Sequence, residues 1–102
     1  MAITSVIDMS KVQICENAVG RITIETESFW LSWKINLLIK FKYQFKRKGR
    51  FILGLDEIVY RSFVKSGLII NSGWDIWCGY DWSADNVLTD QFLTDFYHKH
   101  LK

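Results

Sequence analysis

The longest patterned segment of the chain is 29–45, where every odd position is apolar and most even positions are polar or basic. This period of two predicts a β-strand. A helical period is also present, and its apolar stripe would consist of Trp30, Trp33, Leu37, Leu38 and Phe41. That stripe leaves four other apolar residues out, so the strand is the favoured interpretation. Because extended residues over this length would span about 56 Å, more than the diameter of a domain this size, we expect the strand to bend at Asn36.

Shorter patterns predict the elements on either side. Alternation over 11–16 and 21–27 predicts two strands joined as a hairpin. After a basic loop at 46–50, apolar positions recur at helical spacing and predict a helix over 55–63 that ends before Gly67. These positions are Leu55, Ile58, Val59, Ser62 and Phe63.

The last third of the chain is predicted to contain a hairpin and a second helix. Strands are expected at 68–70 and 74–82, around a turn at 71–73. The helix begins at a cap, Thr89 or Asp90, and one face of it carries Phe92, Leu93, Phe96, Tyr97 and Leu101. The order βββαββα predicts an α+β fold. We expect a mostly antiparallel sheet, formed by an N-terminal meander and a C-terminal hairpin, with two helices packed on one face.

The composition is that of one globular domain. The chain has 102 residues, of which 49% are hydrophobic and 24% charged, and its net charge is +2. This apolar content is sufficient for a packed core and excludes an intrinsically disordered chain, so we expect a single domain over 1–102. The first residues lack the pattern of a secretory signal, and no window approaches about 18 apolar residues, so a cytoplasmic location and no membrane partner are expected.

The sequence contains no recognisable catalytic, cofactor or metal motif. Cys15 and Cys78 lie far apart and form no CxxC pair, so two reduced, packed thiols are expected. His98 and His100 are two residues apart on a predicted helix and face different directions, so they cannot chelate a metal as an i, i+4 pair does. We therefore expect no cofactor and no enzymatic activity.

Charge is strongly segregated along the chain. Seven of the 13 Lys and Arg residues lie within 34–50, whereas 66–98 contains no Lys or Arg and five Asp. The basic segment from Lys34 to Arg50 is the basis of an alternative function, nucleic-acid binding. As a strand it would present one basic face, formed by Lys34, Lys40, Lys42 and Lys46. Trp30 is the one aromatic residue on that face to stack on bases, so nucleic acid is the less favoured partner.

The acidic third contains a dense aromatic segment, GWDIWCGYDWSADN at 73–86. Trp and Tyr dominate binding hot spots, and carboxylates around them direct a surface toward a basic partner. The candidate partner-binding residues are Asp75, Trp77, Tyr80, Asp81, Trp82 and Asp85. In the alternative interpretation the tryptophans are core residues and the aspartates form turns. The pattern leaves both interpretations open and favours the core for Trp74 alone.

The aromatic segment is followed by QFLTDFYHKHL, and the whole chain is a small expected α+β domain without a catalytic signature. In these features it resembles small bacterial immunity proteins of the contact-dependent growth inhibition or colicin type. The resemblance implies a protein that binds and neutralises a cognate protein toxin, by covering its active site or an adjacent surface. For a basic nuclease toxin, the aspartates would occupy the place of substrate phosphates, with Trp77, Tyr80 and Trp82 as anchors.

Overall fold

The computed structural model describes residues 12–101, which form an antiparallel sheet and two helices. The strands are β1 (Val12–Glu16), β2 (Ile22–Thr26), β3 (Lys46–Lys48), β4 (Ile52–Leu53), β5 (Glu57–Lys65), β6 (Leu68–Asp75) and β7 (Gly79–Ala84). The helices are α1 (Phe29–Leu37) and α2 (Val87–Phe96), and each is continued by a π-helical turn, Leu38–Lys42 and Tyr97–Leu101 respectively. The expected α+β class is confirmed. Within residues 12–101, no helix is both long and apolar enough to cross a bilayer.

The seven-stranded sheet brings an early strand, β2, next to the last strand, β7. The strand order is β1-β2-β7-β6-β5-β3, and β4 pairs with β5 beside β3. β5, β6 and β7 form a meander, and α1 carries the chain from β2 to the far edge where this meander begins. Because β2 then pairs with β7, side chains from residues 22–26 and 79–84 become neighbours across the sheet.

One face of the sheet is covered by both helices. Paired residues of neighbouring strands point to the same face, so the register places Ile24, Trp82 and Ser72 together on that face. The buried core consists of Ile24, Ile35, Ile39, Phe45, Phe63, Ile70, Trp82, Ala84, Leu93 and Phe96, from strands and helices alike. The other face, with no helix packed on it in the described part of the chain, is called the helix-free face below.

The prediction of a strand over 29–45 is wrong, because most of this segment is helical. Ser28 caps α1 by accepting a hydrogen bond from the N–H of Leu31 at 3.2 Å. Trp30 and Leu38 are apolar even positions, and together with odd positions they also supply the spacing of a helical stripe, so the segment fits both periods. The helical period buries Ile35 and Ile39 against the sheet, and its rise of about 1.5 Å per residue removes the excess length of an extended chain. The N-terminal part is therefore a hairpin followed by a helix, not a three-stranded meander.

The helix predicted over 55–63 is also wrong, because Glu57–Lys65 forms β5. A β-bulge explains the misleading spacing. Tyr60 pairs with Ser72 and Phe63 pairs with Ile70, so three residues of β5 advance against two of β6. The extra residue converts a period of two into a spacing that resembles a helix. Gly67, predicted to end that helix, instead has a φ of +87° in the tight turn that joins β5 to β6.

The prediction of a turn at 71–73 is wrong, because these residues lie inside β6. The lack of a side chain at Gly73 allows β5 to approach closely, since a Cβ at that position would lie 2.7 Å from the carbonyl oxygen of Ile58 on β5. The turn between β6 and β7 lies at 76–78 instead. There Asp75 accepts hydrogen bonds from the N–H groups of Trp77 and Cys78 at 2.8 and 2.6 Å.

The first hairpin and the last helix follow the sequence pattern. β1 and β2 confirm the strands predicted at 11–16 and 21–27, although position 11 lies outside the described residues. The cap of α2 is Asn86, whose side-chain oxygen accepts from the N–H of Thr89 at 2.8 Å, and not Thr89 or Asp90. Asp90 instead ties α2 to the sheet, because it accepts from the N–H of Ile22 at 2.8 Å.

Candidate functional site

Four carboxylates lie side by side on the helix-free face, one on each of four neighbouring strands. Glu25 of β2 pairs with Asp81 of β7, and Glu57 of β5 pairs with Asp75 of β6. Asp75 is also a diagonal neighbour of Asp81, because its partner on β7 is Gly79, two residues before Asp81. These four residues are called the acidic sheet face below.

Asp81 lies at the centre of this group and is half-buried. Burial, followed by the negative charges of Asp75, Glu25 and Glu57, raises the pKa of its carboxyl to about 6. The position that a Cβ would take at Gly73 is 3.8 Å from Asp81 Oδ2, so the missing side chain leaves a shallow hollow beside the carboxylate. A positive group that enters this hollow would offset the free-energy cost of ionising Asp81, which comes from its burial and from the repulsion by the other carboxylates.

The acidic sheet face has no internal counter-ion in the described part of the chain. The ion pair found within residues 12–101 joins Arg21 to Asp90 at 2.5 Å, outside this face. Arg47 extends over the covered face, where its guanidinium carbon lies 3.7 Å from the centre of the Phe63 ring. Burial lowers the pKa of that guanidinium, and its hydrogen bonds go to the Arg61 carbonyl and the Ser72 hydroxyl. Within residues 12–101, the negative charge of the acidic sheet face is therefore not neutralised by an ion pair.

Exposed apolar side chains border the acidic sheet face. Trp77, at the tip of the β6–β7 turn, is 84% exposed, and Asp75 fixes its backbone through the hydrogen bond described above. Val59 of β5 and Ile52 of β4 are also exposed, and they pair with each other in the row that contains Gly73 and Asp81. The surface thus combines carboxylates with apolar contact area, as protein-binding surfaces do.

Three of the six predicted site residues come together here. Asp75, Trp77 and Asp81 belong to the acidic sheet face and its border. Trp82 does not: it is 2% exposed, and it donates from its indole N–H to the Asn36 side-chain oxygen at 2.9 Å. Its prediction as a surface anchor is wrong, because adjacent residues of β7 point to opposite faces and Trp82 points under α1.

Tyr80 and Asp85 also lie away from the acidic sheet face. Tyr80 shares the covered face with Trp82, is half-buried, and its ring centre is 6.4 Å from that of Phe29. Asp85 follows the far end of β7, about 13 Å along the strand from Asp81, and accepts from the Asn71 amide at 3.1 Å. Tyr80 is therefore on the face opposite to Asp81, and Asp85 lies outside the group of four carboxylates.

Sequence reasoning missed Glu25 and Glu57. Each lies in a separate segment, well before the aromatic segment at 73–86. They reach the site only because β2 pairs with β7 and β5 pairs with β6. The alternation of β2 was a usable signal for placing Glu25 on a polar face, but no local pattern identifies the strand beside it.

The two thiols lie at the surface and are not activated as nucleophiles. Cys15 and Cys78 are both exposed, which corrects the expectation that they are packed. Desolvation and then the charge of Glu25 raise the pKa of Cys15, and desolvation and then Asp75 raise that of Cys78, so neither thiol is activated as a nucleophile. No group of three or more His, Cys, Asp or Glu side chains in residues 12–101 has an arrangement that would hold a metal ion.

The basic segment is divided between two parts of the fold. Because 29–42 is helical, the lysines predicted to share a strand face do not: Lys34 lies on α1, Lys40 and Lys42 on its π-helical turn, and Lys46 on β3. A wide cleft of about 480 Å³ near β3 is lined by Gln44, Lys46, Lys48, Val64, Lys65, Ser66, Gly67, Leu68 and Ile69. None of these is aromatic, so this cleft offers no platform for stacked bases.

No protein-family model, curated protein or solved structure matches this chain. The function is therefore argued from the site itself.

Proposed function

We propose that the protein is an inhibitor of the immunity type, which binds and neutralises a basic protein toxin through the acidic sheet face. The observation that carries this proposal is the cluster of four carboxylates, without a counter-ion in the described residues, on a sheet face that no helix of residues 12–101 covers. A basic surface placed on this cluster would neutralise it and would favour the ionised form of Asp81.

A protein is favoured over a small cation as the occupant. The four carboxylates are spread over four strands, a width of about 14 Å, which suits several side chains of a partner and not one ion. Trp77 and the exposed apolar pair Val59 and Ile52 add contact area that a metal ion or a small amine would not use. Exposed tryptophan next to complementary charge is typical of binding hot spots.

A nuclease is the toxin class that this charge pattern fits best. Enzymes that act on nucleic acid present basic surfaces to its phosphates. A cluster of fixed carboxylates would compete with those phosphates for binding to the basic surface. We place this inhibition in the cytoplasm, the compartment expected from the sequence.

The proposal is tested by capturing partners from the native host with the wild-type chain and two matched variants. Glu25→Gln/Asp81→Asn removes two charges from the acidic sheet face. Asp85→Asn/Asp95→Asn removes two charges elsewhere and is the control. We expect one stoichiometric basic protein with wild type and control, and a roughly 30-fold or larger loss of affinity, about 2 kcal/mol, for the first variant.

Neutralisation is then tested by expressing the captured protein alone and together with this chain. Growth arrest that co-expression relieves supports the inhibitor function. A captured partner that is harmless when expressed alone, or one that binds both variants equally, contradicts the proposal.

Nucleic-acid binding through Lys34 to Arg50 is the alternative hypothesis. Its signature is an affinity for oligonucleotides that falls steeply with salt, with a log–log slope set by the number of phosphate contacts. Such a slope, abolished by Lys46→Gln/Lys48→Gln and unaffected by Glu25→Gln/Asp81→Asn, would favour that function over inhibition.

A further inference from the structure

The outer side of α1 carries an apolar stripe that faces away from the sheet. Trp30, Trp33 and Phe41 are 73%, 56% and 66% exposed, and Leu37 is exposed between them. These positions recur every three or four residues, so they form one line along α1 and its π-helical turn, called the outer stripe below. The opposite side of the same helix is buried in the core. A helix that is apolar on both sides requires a second apolar environment.

The charged residues within α1 and its π-helical turn are all positive. At about 100° per residue, Lys34 and Lys40 fall on either side of the line from Trp30 to Phe41, and Lys42 follows it. The ammonium group of Lys40 lies 5.7 Å from the centre of the Phe41 ring. No Asp or Glu occurs between Glu27 and Asp56. An occupant of this surface must therefore be apolar at its centre and negative at its margin.

No membrane partner was expected because no window is apolar enough to span a bilayer, but a helix that lies on a bilayer needs no such window. We propose that the outer stripe binds the surface of an anionic lipid bilayer. Tryptophan, phenylalanine and leucine on one helix face, flanked by lysines, are the side chains that interfacial helices bury at the boundary between headgroups and acyl chains. The lysines lie at headgroup level, where each adds attraction to anionic lipid. This surface is separate from the acidic sheet face, so the proposal goes beyond the inhibitor function and does not depend on it.

The geometry suits a helix that lies flat on the bilayer. The outer stripe is about 16 Å long from Trp30 to Phe41, whereas a spanning helix needs about 20 residues. Insertion of these side chains to a depth of about 5–10 Å leaves the core side of α1 in place. Ile35 and Ile39 remain packed against the sheet, so binding requires no unfolding.

Two other occupants fit the outer stripe less well. Single-stranded nucleic acid stacks on exposed aromatic faces, but the Trp30 and Trp33 rings are edge-to-face, at 80° with their centres 6.5 Å apart. A second copy of the chain would bring two sets of the same lysines, Lys34 and Lys40, to one interface, where like charges repel.

The test is co-sedimentation of the purified chain with vesicles of phosphatidylcholine, with and without phosphatidylglycerol. We expect binding to the anionic vesicles and weak binding to the neutral ones. Trp30→Ser/Trp33→Ser should lower the partition coefficient more than about tenfold. Lys34→Gln/Lys40→Gln should lower it by about 10- to 30-fold on anionic vesicles only.

Matched controls make the result specific to the outer stripe. Trp77→Ser removes an equally exposed tryptophan at the acidic sheet face, and Glu25→Gln/Asp81→Asn removes charge there; both should bind vesicles as wild type does. Circular dichroism shows whether each variant is folded. No binding to anionic vesicles, an equal loss with Trp77→Ser, or aromatic-dependent binding of an oligonucleotide or of a second copy in place of vesicles would overturn the proposal. Because the protein-capture experiment uses the other face, either proposal can fail without the other.

Discussion

Asp81 combines two features that oppose ionisation: it is half-buried, and three acidic residues lie around it. The folded protein therefore binds the Asp81 proton more tightly than the unfolded chain does, because the pKa rises from 3.8 to about 6. The stabilisation by this proton is fully present below the unfolded pKa and is lost as the pH rises through the folded pKa. At neutral pH the ionised carboxylate costs folding free energy, which a cation placed beside it would recover.

At the scale of this one residue, Asp81→Asn is expected to stabilise the free protein. The amide keeps the shape of the side chain and removes the charge, so the free energy of unfolding should rise by roughly 1 to 2 kcal/mol at about pH 8, after allowance for solvent screening. At about pH 4, where the carboxyl is largely protonated, the gain should nearly vanish. Urea denaturation at the two pH values measures both.

The matched control is Asp85→Asn, which removes the same charge from the exposed position beyond the far end of β7. Its effect at the higher pH should be smaller. If Asp81→Asn leaves the stability unchanged at both pH values, the carboxylates do not repel each other as the geometry indicates.

At the scale of elements, the residues show why part of the fold was predictable. β1, β2 and α2 each follow one period, and each was predicted within a few residues. The segment 29–45 satisfies two periods because both of its sides are apolar. Only the tertiary environment, a sheet face that needs a helix over Ile24 and Trp82, decides between them.

In the candidate site, too, some residues could be predicted from a local pattern and others only from the tertiary structure. Asp75, Trp77 and Asp81 lie within seven residues of one another, so composition alone drew attention to them. Glu25 and Glu57 join them through pairing between distant strands, which no single-sequence pattern specifies. The pattern at 73–86 left both the core and the surface open for Trp82, and the pairing of β7 with β2 and β6 places it on the covered face.

The position of α1 over β7 gives a test of the helical assignment. Asn36 accepts the hydrogen bond of the buried Trp82 indole, so Asn36→Leu should leave that N–H without a partner and cost about 1–3 kcal/mol of stability. Asn36→Asp retains an acceptor oxygen and is the control.

A double-mutant cycle with Trp82→Phe isolates this interaction, because phenylalanine has no N–H to satisfy. The cost of Asn36→Leu should fall by about 1 kcal/mol in that background. A strand at 29–45 would point Asn36 to the lysine side, away from the core. Full additivity of the two substitutions would therefore contradict the arrangement described.

At the scale of the whole molecule, the two proposed surfaces lie on opposite sides. The acidic sheet face occupies the helix-free face, and the outer stripe points away from the sheet on the far side of α1. A net charge of +2 thus conceals a cluster of carboxylates on one side of the sheet and the lysines of α1 and its π-helical turn on the other. A basic partner and an anionic bilayer can therefore be bound at the same time without competing for the same residues.

The five tryptophans report on these surfaces separately. Trp30 and Trp33 belong to the outer stripe, Trp77 borders the acidic sheet face, and Trp74 and Trp82 lie on the covered face. Each indole N–H gives its own resonance in a heteronuclear NMR spectrum. We would titrate the isotope-labelled chain with the basic protein captured from the host. Binding at the acidic sheet face predicts that the Trp77 resonance shifts while those of Trp30, Trp33 and Trp82 stay in place. Shifts of Trp30 and Trp33 with an unmoved Trp77 would contradict it.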